Sequence, residues 1–364
     1  MKIGLVLERF DEAAGGLERW TVGFARFLVG EGLEPHVLAF EGREEAGVTL
    51  HRLGAARGVM GKARAVEAGV AALGADVVLD TGTGWSGDVF MPCTGSRQWS
   101  QRRLVATHPW GMRVRAAVSP RSVAMDWALG RLERAQVRRA RRVIAVSGLV
   151  RDLLVERHGE LPIEVVPNGV DVGRFAELEE RRAAARAALG VGEAVVFLGS
   201  AHNPWLKGMD VAIRAVGAVE GAVLAIAGSS GDGRLRGMAG ERVRFLGVVE
   251  DMAEAYAAAD VLVHPTRWDA CSLSTIEAGA AGLPVITSSR NGAAELVEEG
   301  VTGFVLEDPE DVAGLAARMR MLMDAGVRGR MGAAARRASA GWDVGVNYRR
   351  VLAVLREVGA VTRS

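Results

Sequence analysis

Two acidic residues, Asp269 and Glu277, stand eight positions apart in the segment HPTRWDACSLSTIEAGAAGLP, which runs from His264 to Pro284. An apolar run typical of a strand, VLVHP, leads into this segment, and an apolar, Ala-rich stretch typical of a helix follows the loop. Backbone N–H groups at the start of a helix attract anions and hydroxyl groups. We therefore expect a polar ligand at the junction of loop and helix, bracketed by the two carboxylates.

Glu277 also has a purely structural interpretation. Ser274 and Glu277 have the Ser-x-x-Glu spacing of a capping box, in which the two side chains bond N–H groups of the first helical turn. Capping boxes are common sequence patterns. This segment alone leaves both interpretations of Glu277 open.

Lys207 is a candidate catalytic cation. It lies in the segment GSAHNPWLKGMD, Gly199 to Asp210, which runs from a predicted strand into a predicted helix. A cation there could neutralise the negative charge that develops on a leaving group, a task that otherwise falls to a metal ion. The alternative is an exposed surface lysine with no role in chemistry.

Weaker signals lie in the first half of the chain. Gly15 and Gly16 follow the first predicted strand and precede a helix, so the backbone could approach a phosphate or sugar closely, although such a pair is more often just a flexible turn. Asp88 and Cys93, in GDVFMPCTGSR, are expected at the end of a strand, facing a cleft. Cys93 is more typical of a small buried apolar residue than of a nucleophile.

Two imidazoles complete the candidates. His108 and His264 are available, and we expect His264 to pack at a strand end. No pair of histidines has the spacing of metal ligands, so no metal site is predicted.

The composition bounds the possible classes of protein. At 364 residues, with 49% hydrophobic and 24% charged residues, the chain fits two α/β domains of ordinary size. With only two cysteines, Cys93 and Cys271, a disulfide framework is not expected. The N-terminal MKIGLVLERF is typical of a buried strand rather than a signal peptide, and no stretch reaches the roughly 20 apolar residues of a membrane span. We expect a cytoplasmic protein.

The charge is unevenly distributed along the chain. The net charge is +1, yet Arg97 to Arg151 contains thirteen arginines and no lysine against Asp126 and Glu133, a local charge of +11. Such a basic region favours an anionic acceptor or the anionic inner face of a membrane as partner, rather than nucleic acid. The alternative is a solvated helix face.

The order of strand-like and helical stretches predicts two doubly wound units. Apolar runs alternate with helices on both sides of PNGVDVGRF, Pro167 to Phe175, where turn residues interrupt the pattern. We place the first domain at residues 1–168 and the second at residues 169–342. A final helix at about 343–358 is expected to pack back on the first domain.

Five segments in this order resemble the family-4 retaining glycosyltransferases, and among them the lipopolysaccharide core glucosyltransferases, over about residues 1 to 358. The segments are Gly15-Gly16, Asn168-Gly169, Lys207-Gly208, Leu246-Gly247 and Asp269 to Glu277. The resemblance implies a GT-B fold, in which two Rossmann-like parallel-sheet domains face each other across an interdomain cleft.

The resemblance also implies roles for the residues of the second half. Glu277 would accept hydrogen bonds from the ribose of a nucleotide-sugar donor, and Asp269 would accept one from its sugar. Lys207 would neutralise the leaving diphosphate. The helix start would bind the same diphosphate through backbone N–H groups near Ser272, Leu273 and Ser274.

Other implied contacts are less specific. Gly15 and Gly16 would lie against the donor phosphates, and backbone around Val249 would recognise the base. Ser200 stands where the family usually has an arginine, as it does in the lipopolysaccharide core enzymes. Asn168 and Gly169 would form an interdomain turn.

The general base is the least defined part. Relatives often carry an acidic or imidazole group near the place that Cys93 and Thr94 occupy here, and Asp88 is our acidic candidate for a catalytic role. Because the leaving phosphate can assist deprotonation in the family, a missing base need not abolish activity.

We therefore predict a metal-independent retaining hexosyltransferase that uses no cofactor and acts in cell-envelope polysaccharide or lipopolysaccharide synthesis. Its donor would be a nucleotide sugar such as a UDP-hexose, and its acceptor a glycan, glycolipid or other hydroxyl compound. Two alternatives remain open. One is a sugar-nucleotide 2-epimerase. The other is a non-catalytic binding subunit, which Ser200 and the shortened acid Asp269 would fit.

Overall fold

The computed structural model describes residues 1–108, 110–175 and 177–362. It divides the chain into two compact units. One comprises Met1–Pro167 together with the C-terminal segment that begins at Asn347, and the other comprises Asn168–Val346. Among the described residues, no helix combines the length and the apolar character that crossing a bilayer requires.

The first unit is built on a seven-stranded sheet in the order β5-β3-β1-β6-β7-β8-β9, and β2 and β4 pair separately. All of these pairs are parallel. The strands are Lys2–Val6 (β1), Arg9–Phe10 (β2), Glu34–Ala39 (β3), Glu41–Gly42 (β4), Thr49–Arg52 (β5), Val77–Asp80 (β6), Val89–Phe90 (β7), Arg142–Ala145 (β8) and Ile163–Val165 (β9).

Helices cover this sheet, as a parallel sheet requires. They are Gly16–Gly30 (α1), Gly58–Leu73 (α2), Arg97–Ala106 (α3), Trp110–Val118 (α4), Pro120–Arg139 (α5) and Gly148–His158 (α6). The central strands are apolar on both faces, with Ile3 and Leu5 of β1 and Leu79 of β6 fully buried. Serine N-caps stabilise the starts of α3 and α6. Ser96 and Ser147 each accept a hydrogen bond from an N–H of the first turn.

The second unit has a six-stranded parallel sheet in the order β12-β11-β10-β13-β14-β15. Its strands are Val195–Ser200 (β10), Ala222–Ala227 (β11), Val243–Gly247 (β12), Val261–His264 (β13), Val285–Ser288 (β14) and Gly303–Leu306 (β15). Its helices are Leu178–Leu189 (α7), Met209–Gly217 (α8), Gly233–Met238 (α9), Met252–Ala258 (α10), Leu273–Ala280 (α11), Val312–Met321 (α12) and Ala325–Ser339 (α13). Short 3-10 turns occupy Val172–Phe175, Gly292–Leu296 and Ala340–Trp342.

The last helix, Val344–Thr362 (α14), starts at the end of the second unit and runs into the first. There Asn347 accepts a hydrogen bond from the indole N–H of Trp20 at 2.8 Å. Tyr348 packs its ring against Trp20 and Phe24. These contacts join the end of the chain to α1 of the first unit.

Within each sheet the order of the strands reverses once, at β1 in the first unit and at β10 in the second. In the second unit β10 lies between β11 and β13, so the loops that follow β10 and β13 leave the same edge of the sheet in different directions. Open α/β sheets bind ligands at such a switch point, at the carboxyl ends of the strands. Ser200 and His264 end these two strands.

The predicted fold class, two doubly wound parallel-sheet units, is confirmed. The apolar run VLVHP, expected to form a strand, contains β13, Val261–His264. The sequence did not reveal β7, which has only two residues, or α3, whose polar residues give no clear apolar period. It did not reveal the short helix α4 either.

Gly208→Ala is expected to destabilise the second unit. Gly208 precedes α8 with φ of 71°, in the left-handed region, and a Cβ atom there would overlap the carbonyl oxygen of Pro265. Strain of this kind costs about 1–3 kcal/mol, which urea unfolding should detect. Gly217→Ala is the matched control, because this α8 glycine has open space around it and alanine favours a helix by roughly 0.5–1 kcal/mol. Equal stability of the two variants would contradict the expectation.

Candidate active site

The loop between β10 and α8 is held against the segment that follows β13. Leu206 contributes the main anchor, because its carbonyl oxygen accepts the N–H of Arg267 at 2.8 Å and the hydroxyl of Thr266 at 3.1 Å. Gly208 lies against Pro265 with no room for a side chain. These contacts bring Lys207 over the end of β13.

Lys207, Asp269 and His264 form one cluster at this place. The Lys207 ammonium pairs with Oδ2 of Asp269, and Nε2 of His264 lies 3.1 Å from the same oxygen. The side chains of Lys207 and Asp269 are 22% and 17% exposed, whereas that of His264 is 1% exposed. A predicted catalytic cation and the first predicted acid are thus in direct contact.

The charges of the cluster follow from this geometry. Burial opposes ionisation of Asp269, but the Lys207 charge and the His264 hydrogen bond outweigh it and hold the pKa of this carboxyl well below its usual range. Burial lowers the pKa of the His264 imidazole in spite of the neighbouring carboxylate. The carboxylate accepts only, so the neutral ring donates from Nε2.

The helix that carries the second acid begins at Leu273. Ser272 is its N-cap and accepts the N–H of Thr275 at 3.3 Å, and its hydroxyl lies 2.9 Å from that of Ser274. Oδ1 of Asn291 accepts the N–H of Ser272 at 3.2 Å and so holds the loop before α11 in place. The predicted N–H groups at Ser272, Leu273 and Ser274 are therefore the first turn of an ordered helix.

Glu277 lies in the second turn of α11 and is half-buried. Its Oε2 accepts a hydrogen bond from the hydroxyl of Tyr256 at 2.8 Å, and burial raises the pKa of this tyrosine. Since Ser272 and not Ser274 caps the helix, the capping-box interpretation of Ser274 and Glu277 is wrong. Tyr256 was not predicted from the sequence, because nothing in its spacing links it to Glu277.

Other predicted contacts of the second unit lie at the same edge of the sheet. Ser200 is the last residue of β10 and is half-buried. Val249 lies two residues beyond the end of β12 and is also half-buried. The side-chain amide of Asn168 donates to the carbonyl oxygen of Cys271 at 3.0 Å. Asn168 thus braces the loop that carries Asp269.

In the first unit, the predicted glycines start a helix as expected. Gly15 is the N-cap of α1 and Gly16 its first residue, after the loop that follows β2. Gly15 is half-buried and Gly16 is exposed.

The predicted catalytic placement of Asp88 is wrong. Asp88 precedes β7 rather than ending a strand, and its Oδ2 accepts the N–H of Val78 at 2.9 Å. Val78 lies near the start of β6, so Asp88 stands at the amino edge of a sheet whose ligands are expected at the carboxyl edge. Its carboxylate also lies 3.9 Å from the guanidinium of Arg141. These contacts explain Asp88 as a structural acid.

Cys93 and Thr94 do follow the carboxyl end of β7. Burial raises the pKa of the Cys93 thiol to about 12, and its Sγ lies 3.5 Å from the carbonyl oxygen of Met91. A thiol in this state is not a nucleophile or a base at neutral pH. Cys271 is buried as well, with its pKa raised to about 12 by burial.

Asp80, which ends β6, was not among the residues predicted from the sequence. Its Oδ1 accepts N–H groups of Gly82 and Thr83 at 2.8 Å and of Gly84 at 3.2 Å, while burial raises its pKa. The only sequence signal was an acid directly before the Gly-rich run TGTG. Next to this loop lies a small pocket, lined by residues that include Thr81, Thr94, Arg97, Glu133 and Gln136.

Comparison with known families gives two matches. The model of Glycosyltransferase Family 4 matches residues 14–174, and the model of Glycosyl transferases group 1 matches residues 192–325. The second match contains Lys207, Asp269 and Glu277.

Curated relatives cover part of the chain. It is 36% identical over 211 residues to the D-inositol 3-phosphate glycosyltransferase of Mycobacterium sp. (strain KMS), which is 53% of this chain and 47% of that protein. It is 31% identical over 225 residues to the phosphatidyl-myo-inositol mannosyltransferase of Mycobacterium leprae (strain TN), which is 59% of each chain. The match thus spans about half the length of these relatives.

Solved structures extend the likeness in fold to nearly the whole chain. WaaG, a glycosyltransferase involved in lipopolysaccharide biosynthesis, has a TM-score of 0.78 at 18% identity and covers 97% of this chain and 99% of its own. Anabaena Alr3699/HepE, in complex with UDP and glucose, has a TM-score of 0.74 at 21% identity and covers 98% and 99%. The two parallel-sheet units are thus of the GT-B type.

The resemblance found in the sequence is confirmed in both units, since one glycosyltransferase family model matches most of the first and the other most of the second. The chain belongs to the family-4 glycosyltransferases, with their group 1 domain in its second half.

Proposed function

We propose that the protein transfers a hexose from a nucleotide-sugar donor to a hydroxyl group of an acceptor, with retention of the anomeric configuration and without a metal ion. The contact of Lys207 with Asp269 carries this proposal, because it places a cation and an acceptor oxygen at the carboxyl ends of β10 and β13. Glu277 lies on the helix that starts directly after them.

The donor would be a UDP-sugar. Three structures of Anabaena Alr3699/HepE, all similar in fold to this chain, contain UDP with glucose, UDP-glucose or UDP. In our proposal Glu277 accepts hydrogen bonds from the ribose hydroxyls, and Tyr256 holds its carboxylate in place. The backbone near Val249 recognises the base.

The diphosphate would bind at the start of α11. The N–H groups of Ser272, Leu273 and Ser274 and the positive end of the helix favour an anion there. Lys207 would move its ammonium from Asp269 to the phosphate oxygens as negative charge develops on the leaving group.

Transfer would proceed on one face of the sugar. The acceptor hydroxyl oxygen attacks the anomeric carbon from the side that the diphosphate leaves, and the bond from that carbon to the phosphate oxygen breaks. The leaving phosphate oxygen takes the electron pair and the hydroxyl proton. This step uses no protein base, which fits a chain whose Cys93 is a buried thiol and whose Asp88 bonds to the backbone at the other edge of its sheet.

The acceptor is proposed to be lipid-linked, because the first unit carries a surface suited to an anionic membrane. We call this surface the basic apolar surface. It consists of exposed residues of α4 and α5, namely Trp110, Met112, Arg113, Val114, Arg115, Val118, Arg121, Val123, Met125 and Trp127. Trp110 is 78% and Trp127 56% exposed, and tryptophans of this kind favour the membrane interface.

Charge supports the same partner. The carboxylate of Asp126 forms a bidentate ion pair with Arg102, with both hydrogen bonds at 2.8 Å. Glu133 is buried and bonded to Arg157 and His158. Both acids of the arginine-rich region are therefore neutralised within the protein. The arginines of the basic apolar surface carry a positive charge that anionic lipid headgroups would compensate.

Lys207→Ala should reduce kcat/KM by about 100- to 1,000-fold, the loss of roughly 2.7–4 kcal/mol that follows removal of one transition-state donor. Sugar transfer and donor hydrolysis would be measured over UDP-, GDP- and ADP-sugars. Lys62→Ala is the control, since Lys62 makes a surface ion pair with Glu8 at 2.9 Å and should keep full activity. An unchanged kcat/KM of the Lys207 variant would refute the leaving-group role.

Glu277→Gln should weaken binding of the nucleotide about tenfold or more, since hydrogen bonds to a charged group contribute roughly 1.5–3 kcal/mol. Calorimetry with UDP measures this directly. Glu254→Gln, which alters an exposed carboxylate on α10, is the control. Intact UDP affinity with only a lower melting temperature would show that Glu277 serves the fold alone.

Liposome flotation tests the basic apolar surface. Binding should require anionic lipid, and the double change Arg113→Gln and Arg115→Gln should weaken it roughly 30-fold, at about 1 kcal/mol per arginine near the surface. Trp110→Ser should weaken it as well, whereas Val248→Ser, at a residue of the second unit that is 80% exposed, should not. Binding that ignores lipid charge would contradict this part of the proposal.

A further inference from the structure

His264 does more than pack at the end of a strand. Its side chain is 1% exposed, and its Nε2 reaches Oδ2 of Asp269 at 3.1 Å. Its other ring nitrogen, Nδ1, is buried without a hydrogen-bond partner among the described residues. A buried imidazole that bonds through one nitrogen alone has a single function in hydrogen bonding, which is to donate to Asp269.

The two oxygens of Asp269 are used unequally. Both Lys207 and His264 donate to Oδ2, whereas Oδ1 accepts no hydrogen bond within the part of the chain that the structure describes. The backbone of Asp269 is fixed, because its N–H donates to Arg290 at 3.0 Å and its carbonyl accepts the N–H of Gly292 at 2.9 Å. Only rotation of the side chain remains, and its two donors control that rotation.

The two donors differ in how firmly they are held. The Lys207 ammonium ends a flexible four-carbon chain. His264 lies in β13, and its carbonyl oxygen accepts the hydroxyl of Thr287 at 3.0 Å and the N–H of Thr266 at 2.8 Å. If Lys207 moves to a phosphate, His264 is the donor that stays on Oδ2.

We propose that His264 is a positioning residue of the donor site, which fixes Oδ2 of Asp269 so that Oδ1 is presented to a hydroxyl group of the donor sugar. This inference rests on the proposed function. It assigns His264 to recognition of the sugar and not of the nucleotide. It also gives this histidine no part in proton transfer, since protonation would add an Nδ1–H with no acceptor.

The test compares a nucleotide sugar with its nucleotide. Affinities of UDP-glucose, UDP-N-acetylglucosamine and GDP-mannose, and of UDP and GDP alone, are measured by calorimetry. His264→Met removes the donor while keeping an apolar side chain of similar length, and we expect it to weaken the nucleotide sugar about tenfold and to leave the nucleotide unchanged. His264→Gln places an amide N–H near the position of Nε2, and we expect it to restore the sugar affinity.

Two controls separate positioning from folding. Ile286→Val perturbs the core of the neighbouring strand β14 at the residue paired with Val263, and it should change neither affinity. In an Asp269→Asn background, His264→Met should cause little further loss of sugar affinity, because the two changes remove the same contact.

The outcomes are distinguishable. Equal weakening of nucleotide sugar and nucleotide, or wild-type affinities in the His264→Met variant, would overturn the positioning role while leaving the proposed function intact. Failure of His264→Gln to exceed His264→Met would overturn it as well. A wild-type protein that binds no nucleotide sugar and no nucleotide would instead refute the proposed function, and this inference with it.

Discussion

The candidate site depends on one constraint, which is that a largely buried carboxylate must keep its charge. Asp269 meets it with two donors on one oxygen, Lys207 from the loop after β10 and His264 from the end of β13. Removing one partner of a buried pair costs about 3–5 kcal/mol. The order of the strands matters here, because only neighbouring strands β10 and β13 bring these two segments together.

The surrounding structure limits how this cluster can move. Leu206 and Gly208 hold the lysine loop against Pro265, Thr266 and Arg267, while Asn291 and Asn168 brace the loop that carries Asp269. Each brace is a backbone contact or a hydrogen bond with a side-chain amide. Side-chain rotation is therefore the main freedom left to Lys207 and Asp269, and pre-organisation of this kind reduces the reorganisation that binding requires.

The sequence predicted the parts of this arrangement that are local. Apolar runs revealed the strands, and the placement of Lys207, Asp269 and Glu277 after them followed from the family resemblance. Partners from elsewhere in the chain were not predictable. The hydroxyl of Tyr256, on another helix, donates to Glu277. Asp88 lies at the amino edge of its sheet, where its carboxylate accepts the N–H of Val78 from a neighbouring strand. The N-cap of α11 is a third feature that the sequence did not determine. Ser272 and Ser274 both fit the signal for a helix start, and the structure has Ser272 as the cap.

The charges of the cluster also suggest why one cation is not enough. Lys207 compensates Asp269, so neither charge is buried alone. A bound diphosphate would compete for the lysine, and a carboxylate that is 17% exposed would then lose its counterion. The neutral His264 does not move to the phosphate, because its Nε2–H already donates to a carboxylate and a neutral ring is not attracted to a distant anion. The positive charge of Lys207 can therefore move toward a ligand, while the fixed neutral donor His264 keeps a hydrogen bond on the same oxygen of Asp269.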